Sequence, residues 1–422
     1  MYSSSTAQGI KALDSPSIDA FGRWRVSNPT TVFDSKNIHD DPDLASSVEN
    51  QPLFYDNQET SGSGTSTTYN ANESSQTLAV GATTEGTRVR QTKMRFNYQP
   101  GKSQLVFMTF NMKGNVSGIT KREGIFDENN GFYLELDGTN VNLVRRTSTS
   151  GAPVNNSVSQ SSWNKDRFDG TGESGVTLDF TKTQIMWIDY EWLGVGRVRL
   201  GFVVDGMFYQ AHEFLNTNSL DVVYMKTPNL PLRSEISNDG TGVAATMEQI
   251  CSTVISEGGS EDLGSVRRAS TAGTHLDMAA ENTIYAIIGI RLKSGYLDTA
   301  VKLIKASLQI QTASHQVEWY ILLNPTVANS FTYSGLAQSA IEVATGGATN
   351  TVTGGYQIAG DFFESGGNAA GAAGSFSVAL DSAIRLGSLI DGTVDEIVLC
   401  ARPIGGSTAV DIEGGITWRE LS

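Results

Sequence analysis

Between Arg88 and Phe214 apolar residues recur with period two, and no window longer than about ten residues holds a capped 3.6-residue period, so the chain is committed to β-structure. In GFYLELDGTNVNLVRR (131–146), Phe132, Leu134 and Leu136 alternate with Tyr133 and Glu135. Asp137-Gly138 supplies the left-handed backbone of a type I′ turn, and Val141 and Leu143 resume the alternation, which reads as a hairpin. In QIMWIDYEWLGVGRVRLGFVVDGMFYQAHEF (184–214), Met186, Ile188, Tyr190 and Trp192 share a face, LGVG turns the chain, and Asp205-Gly206 sends it back, giving a three-stranded meander. Strand-like runs return at 283–292, 301–310, 316–323, 394–401 and 416–421, separated by Gly/Ala/Ser/Thr-rich loops. Short strands so spaced predict an all-β fold of antiparallel β-sandwiches, jelly-roll or lectin-like.

Charge narrows the partners. Charged residues make up 18% of the 422, and the 30 Lys and Arg against 45 Asp and Glu leave a net −15, which repels a phosphate backbone, so nucleic acid is not expected as a partner. Cys251 and Cys400 are the only cysteines, which excludes a disulfide framework and a thiolate metal knuckle but leaves a single bridge open. No two of His39, His212, His275 and His315 lie closer than 40 residues, so no metal centre and no cofactor are expected. Asp40, Asp41 and Asp43, or Asp166, Asp169 and Glu173, could offer hard oxygen ligands to calcium from a loop, but neither set fits an EF-hand and both read as solvated loops. Met1 to Ile10 carries no basic residue, and no apolar run reaches the roughly 18 residues that span a bilayer, so neither export nor membrane insertion is expected.

Three segments are expected. Residues 1–60, with SSST, SPS, NPTT and the acidic HDDPD run, lack sustained alternation and read as an extended anchoring arm, joined through the polar hinge 61–75. Residues 61–265 form a β-sandwich, and 266–422 a second sandwich or the continuation of the first. Phe54, Tyr55 and Tyr69 stand out as aromatics in polar surroundings, where a partner surface would cover them. Asp189 and Glu191, at strand spacing i and i+2 and flanked by Trp187 and Trp192, form the one carboxylate pair with catalytic spacing. They suggest the strand motif E-x-D-x-x-E of jelly-roll glycoside hydrolases, but the order is D-x-E and Gly194 stands where the third carboxylate would be. The alternative is that both acids lie on a solvated strand face.

The stretches DAFGRWRVSNPTTVFDSK (19–36), QPLFYDNQETSGSGTST (51–67), RVRQTKMRFNYQPGKSQLVFMT (88–109), DYEWLGVGRVRLGFVVDG (189–206) and TPNLPLRSEISNDGTG (227–242) occur in that order. Together they resemble a family of structural proteins of tailed phages and related environmental viral sequences. The resemblance implies a virion component without enzymatic activity, assembled in the host bacterial cytoplasm among other virion proteins in capsid, neck or tail, as a homo-oligomer. An arm of this kind would grip a neighbour through Phe21, Arg23, Trp24, Arg25, Phe33, Phe54 and Tyr55. Two other functions stay open at this point: a receptor- or carbohydrate-binding fibre module contacting a host-surface glycan, and a polysaccharide depolymerase using Asp189 and Glu191.

Overall fold

The computed structural model describes residues 28–38, 54–365 and 385–421, and the chain divides after Glu261 into two compact units. The first unit contains strands β1 (Thr30–Lys36), β2 (Tyr55–Gly62), β3 (Thr65–Asn70), β4 (Ser75–Val80), β5 (Gly86–Thr92), β6 (Gln104–Asn111), β7 (Ile119–Phe126) and β8 (Gly131–Leu136). It continues with β9 (Val141–Thr147), β10 (Val154–Ser159), β11 (Thr183–Tyr190), β12 (Val198–Val204), β13 (Met207–Phe214), β14 (Leu232–Asn238) and β15 (Ala245–Ser256). One sheet runs β13-β12-β11-β6-β15-β4-β3, with β1 also paired to β15; the other runs β10-β9-β8-β7-β14-β5-β2.

Alternation dictates how the two sheets close on one core. Across the β11–β6 ladder Met186, Ile188 and Tyr190 stand opposite Met108, Val106 and Gln104. In the second sheet Ile125 stands opposite Phe132 and Glu123 opposite Leu134. Met108, Ile188, Ile125 and Leu134 belong to one buried cluster, so the apolar faces meet as the period-two pattern requires. The meander is present, and Asp205 and Gly206 both take positive φ between Val204 and Met207, the geometry of a two-residue type I′ turn. The 131–146 hairpin closes differently. Leu136 pairs with Val141, so the loop has four residues, and the Asp137 carboxylate accepts the backbone N–H of Thr139 and Asn140.

The second unit, Asp262–Ser422, is also antiparallel. Ser265–Ser270, Val410–Leu421, Ala300–Ile310 and Arg385–Leu386 form one sheet, to which Leu276–Met278 adds beside Val410–Leu421. A six-stranded sheet has Tyr285–Leu292, Glu396–Ile404 and Gln316–Leu323 at its centre. Trp418, Ile416, Ile290, Ile321 and Leu399 form a core of its own.

The expected arm and hinge need correction. Residues 30–36 form β1 against β15, 55–62 form β2 against β5, and 65–70 form β3 against β4, so the described parts of 28–75 lie in the sheets of their own unit. Phe33 and Tyr55 are 6% and 2% exposed, Phe54 packs against the same core, and the Phe33 ring lies 6.0 Å from Phe54 and 5.1 Å from Phe96. Phe33 and Tyr55 are therefore occupied within their own unit, and Phe54 partly so. Phe21, Arg23, Trp24 and Arg25 lie outside the described residues.

A buried polar cluster fixes this corner. Arg90, fully buried on β5, donates to Asn57 Oδ1 at 3.1 Å, Gln249 Oε1 at 3.3 Å and Asn37 Oδ1 at 3.4 Å. Its Cζ lies 4.0 Å from the centre of the Tyr55 ring, whose hydroxyl meets Ser35 Oγ at 2.8 Å. Glu123, one strand beyond β14, is buried without a well-formed hydrogen bond; burial pushes its carboxyl up to about 8, against the pull of Ser234 and Arg90. Lys121 donates to the Met112 and Gly114 carbonyls at 2.6 and 3.1 Å, and burial lowers it to about 8.

Two outcomes are expected. Deleting residues 1–60 removes β1, most of β2, and the Phe33 and Tyr55 side chains. Urea unfolding of the truncated chain should show the first unit weakened by more than about 3 kcal/mol; an unaltered transition would contradict this packing. The second outcome concerns pH. Glu123 keeps its proton in the fold to about pH 8 but loses it near 4.5 when unfolded, so stability falls as pH rises through that window, by about 1.4 kcal/mol per unit. Lys121, lowered from 10.5, reverses the slope above pH 8. Glu123→Gln should flatten the decline between about pH 5 and about pH 8, read from urea midpoints.

Candidate functional site

Strand β11 carries different chemistry on its two faces. Asp189 points outward with Trp187, where the register sets it opposite Arg199, and the two side chains form a buried ion pair. The Trp187 ring fills the space above Gly201, where a Cβ would come within 2.5 Å of it, and lies 6.4 Å from Phe208. Glu191 lies beyond the last ladder pair, Tyr190 with Val198, where the chain enters the LGVG turn. Both sequence-level readings of Asp189 and Glu191 therefore fail in part. Asp189 is buried and not solvated, and a carboxylate held by a guanidinium is poorly placed as an acid or nucleophile beside Glu191.

The inward face leads to one end of the sandwich. Tyr190 donates to Gln104 Oε1, stacks on Tyr98 at 6.0 Å, and lies 5.6 Å from Phe132, which lies 5.9 Å from Tyr224. Trp192 donates from Nε1 to the Met225 carbonyl at 3.3 Å and meets the Tyr98 ring edge-on at 6.2 Å. Burial raises the hydroxyl of Tyr98 to about 12 and pushes those of Tyr190 and Tyr224 up from the ordinary tyrosine value, so all three stay protonated near neutral pH.

Above this aromatic layer two loops are stitched together. The Tyr224 N–H donates to the Gly194 carbonyl at 2.9 Å, Asn216 Nδ2 to the Gly196 carbonyl at 2.6 Å, and Thr217 Oγ1 to the Val195 carbonyl at 2.9 Å. Arg145 from β9 donates to Asn216 Oδ1 and lies over the Phe214 ring. The stitched loops present aliphatic side chains to solvent: Leu193 is 52% exposed, Leu215 62%, Val222 61% and Val223 39%. Sequence reading found the LGVG turn but not the 215–225 loop that joins it, since nothing local marks contacts across some twenty residues of chain.

The acidic loop at 166–173 holds its own backbone, while Asp40, Asp41 and Asp43 lie outside the described residues. Asp166 accepts from the N–H groups of Phe168 and Ser174, and Asp169 from Thr171. Among the described residues no group of three or more His, Cys, Asp or Glu is placed to hold a metal ion. None of the described helices is long and apolar enough to cross a membrane. Cys251 and Cys400 are both free thiols.

No family model matches the chain, and no curated protein does. Among solved structures it is similar to a β-1,3-glucanase from Mycobacterium marinum, at 9% identity over 53% of this chain and 98% of that one, with a TM-score of 0.37. It is also similar to a glycosyl hydrolase family 16 protein from Mycobacterium smegmatis, at 10% identity over 53% and 100%, TM-score 0.36. A third similar structure is the Emp47p carbohydrate recognition domain, at 11% identity over 55% and 98%, TM-score 0.32. With glucanases among the similar structures, the expectation of a chain without enzymatic activity is withdrawn.

The site makes a stability prediction. Tyr224→Phe removes a buried hydroxyl that has no hydrogen-bond partner among the described residues and should leave the urea midpoint nearly unmoved, within about 0.5 kcal/mol. Tyr190→Phe removes the donor to Gln104 and should cost about 1–2 kcal/mol. Equal losses from the two would contradict these hydrogen-bond assignments.

Proposed function

We propose that the chain is a structural component of a bacteriophage particle that docks on neighbouring virion proteins through the aliphatic end of its first sandwich. The observation that carries this reading is the set Leu193, Leu215, Val222 and Val223, exposed on loops whose backbone is tied by side-chain and main-chain hydrogen bonds. An ordered aliphatic surface suits burial against another protein, with little ordering cost on contact. Leu193 falls in DYEWLGVGRVRLGFVVDG, one of the stretches that carry the phage-protein resemblance. That resemblance also runs through the interior: 33–36, 55–57 and 88–90 are the neighbours and members of the Arg90 cluster, so it concerns the architecture of the whole unit.

A host-surface glycan is the alternative ligand. Aromatic faces are the usual platform for a sugar ring, and this end of the sandwich exposes aliphatic side chains instead.

The test follows a tagged chain through particle assembly. The wild type should co-sediment with purified particles, and Val222→Glu, at an exposed position that leaves the fold intact, should reduce incorporation about tenfold or more. Absence of the wild type from particles would overturn the reading, and full incorporation of the variant would overturn this surface. Binding of the full chain to a glycan array, with incorporation unaffected by the substitution, would favour the alternative.

A further inference from the structure

We propose that β10 is a self-pairing edge, at which a second copy of the chain adds its own β10 antiparallel across a two-fold axis. The inference is independent of the particle reading and rests on how the edges of the first unit are finished.

A strand at the end of a sheet offers unpaired N–H and C=O groups, and folded proteins blunt such edges with charges, bulges or covering segments. The other edges are treated in this way. β13 carries a bulge between Leu200 and Gly201 of its ladder, has Glu213, and has its Ala211 and Gln210 carbonyls taken by the N–H groups of Lys165 and Asp166. β1 has a bulge between Thr31 and Phe33 and carries Asp34 and Lys36. β2 has a bulge between Glu59 and Ser61 and carries Asp56 and Glu59. β3 begins at Thr65, whose N–H and hydroxyl are held by the Glu59 carboxylate.

Over Val154 to Ser157, β10 has none of these devices. Its register with β9 is unbroken from Val154 to Ser159, and its sequence VNNSVS has no charge and no proline. Val154 to Ser157 are exposed, and among the described residues no strand lies on the side away from β9. Trp163 Nε1 takes the Val158 carbonyl at 3.1 Å, so the open length is Val154 to Ser157.

Charge points to a second copy as the occupant. A chain of net charge −15 repels its own copies, and an isologous contact sets each side chain near its own counterpart or a close neighbour, so any charge there meets a like charge. From Thr147 to Asn164 the sequence contains no Asp, Glu, Lys or Arg. A basic partner would find nothing to pair with along this edge, whereas a neutral strand of the same sequence can close the ladder by main-chain hydrogen bonds. Four open residues make a small contact, so association is weak and grows with local concentration.

Sedimentation equilibrium of the full chain at rising concentration tests the proposal. The wild type should show a reversible monomer–dimer equilibrium, and Asn156→Lys should weaken it about tenfold while the melting temperature holds. A separate arm introduces Asn155→Cys, Asn156→Cys and Ser157→Cys one at a time. Under mild oxidation the position nearest the axis should yield a covalent dimer that the wild type does not form. A wild type that stays monomeric throughout, or a dimer insensitive to Asn156→Lys with no cross-linking at any of the three positions, would overturn the assignment.

Discussion

A guanidinium withdrawn from water must find partners around its whole edge, and Arg90 finds them on segments remote in sequence: Asn37 just after β1, Asn57 and Tyr55 on β2, and Gln249 on β15. Each partner is useful only if its strand has the right register, because a slip of one residue would turn the side chain to the opposite face. The cluster therefore does what an apolar core alone does poorly: it distinguishes one alignment of the two sheets from its neighbours. Asn37 reinforces this by donating to Gln249 Oε1 at 2.7 Å, so the first and last strands of the unit are tied through a side-chain pair as well as through the β1–β15 ladder.

The same rule of two faces explains β11. Its inward residues deliver Tyr190 to the aromatic layer, and its outward residues deliver Asp189 to Arg199. Extending the outward series to Glu191 fails because the ladder stops at Tyr190 and the chain turns. The aromatic layer in turn supports the two loops above it, with Trp192 bonded to the Met225 carbonyl and Tyr224 to the Gly194 carbonyl, so the exposed aliphatic residues stand on fixed backbone.

What could be read from sequence was what neighbouring residues decide. The strands of the 131–146 hairpin follow from alternation, the 184–214 meander from alternation and its Asp205-Gly206 turn, and five strands of the second unit fall on the apolar runs between Gly-rich loops. The N-terminal strands were not legible. TTVFDSK and YDNQETSG carry polar residues on both faces, the pattern of a loop, because Ser35 is buried against Tyr55 and Asn57 against Arg88 and Arg90, partners on other strands. β1 finds its ladder on β15, more than 200 residues later, and no local pattern encodes such a pairing. Buried polar residues thus misled the reading in one direction: they made a structural core look like an exposed arm.

The outer face of the second sheet shows a related device. Across β8, β7 and β14 the register sets Glu135, Arg122 and Glu235 in one row, and Arg122 bonds both carboxylates while Arg233 closes the far side of Glu235. Charge alternates from strand to strand, so attraction acts across each ladder and like charges are kept two strands apart. Tyr133 and Phe126 lie 4.4 Å apart beside this row, with the Arg146 guanidinium 5.0 Å from the Tyr133 ring. An acidic chain built in this way neutralises its charges pairwise within the sheet. The row ends at Asn142 on β9, and β10 beyond it is uncharged, so the alternation stops before the edge and leaves there a strand without charged side chains.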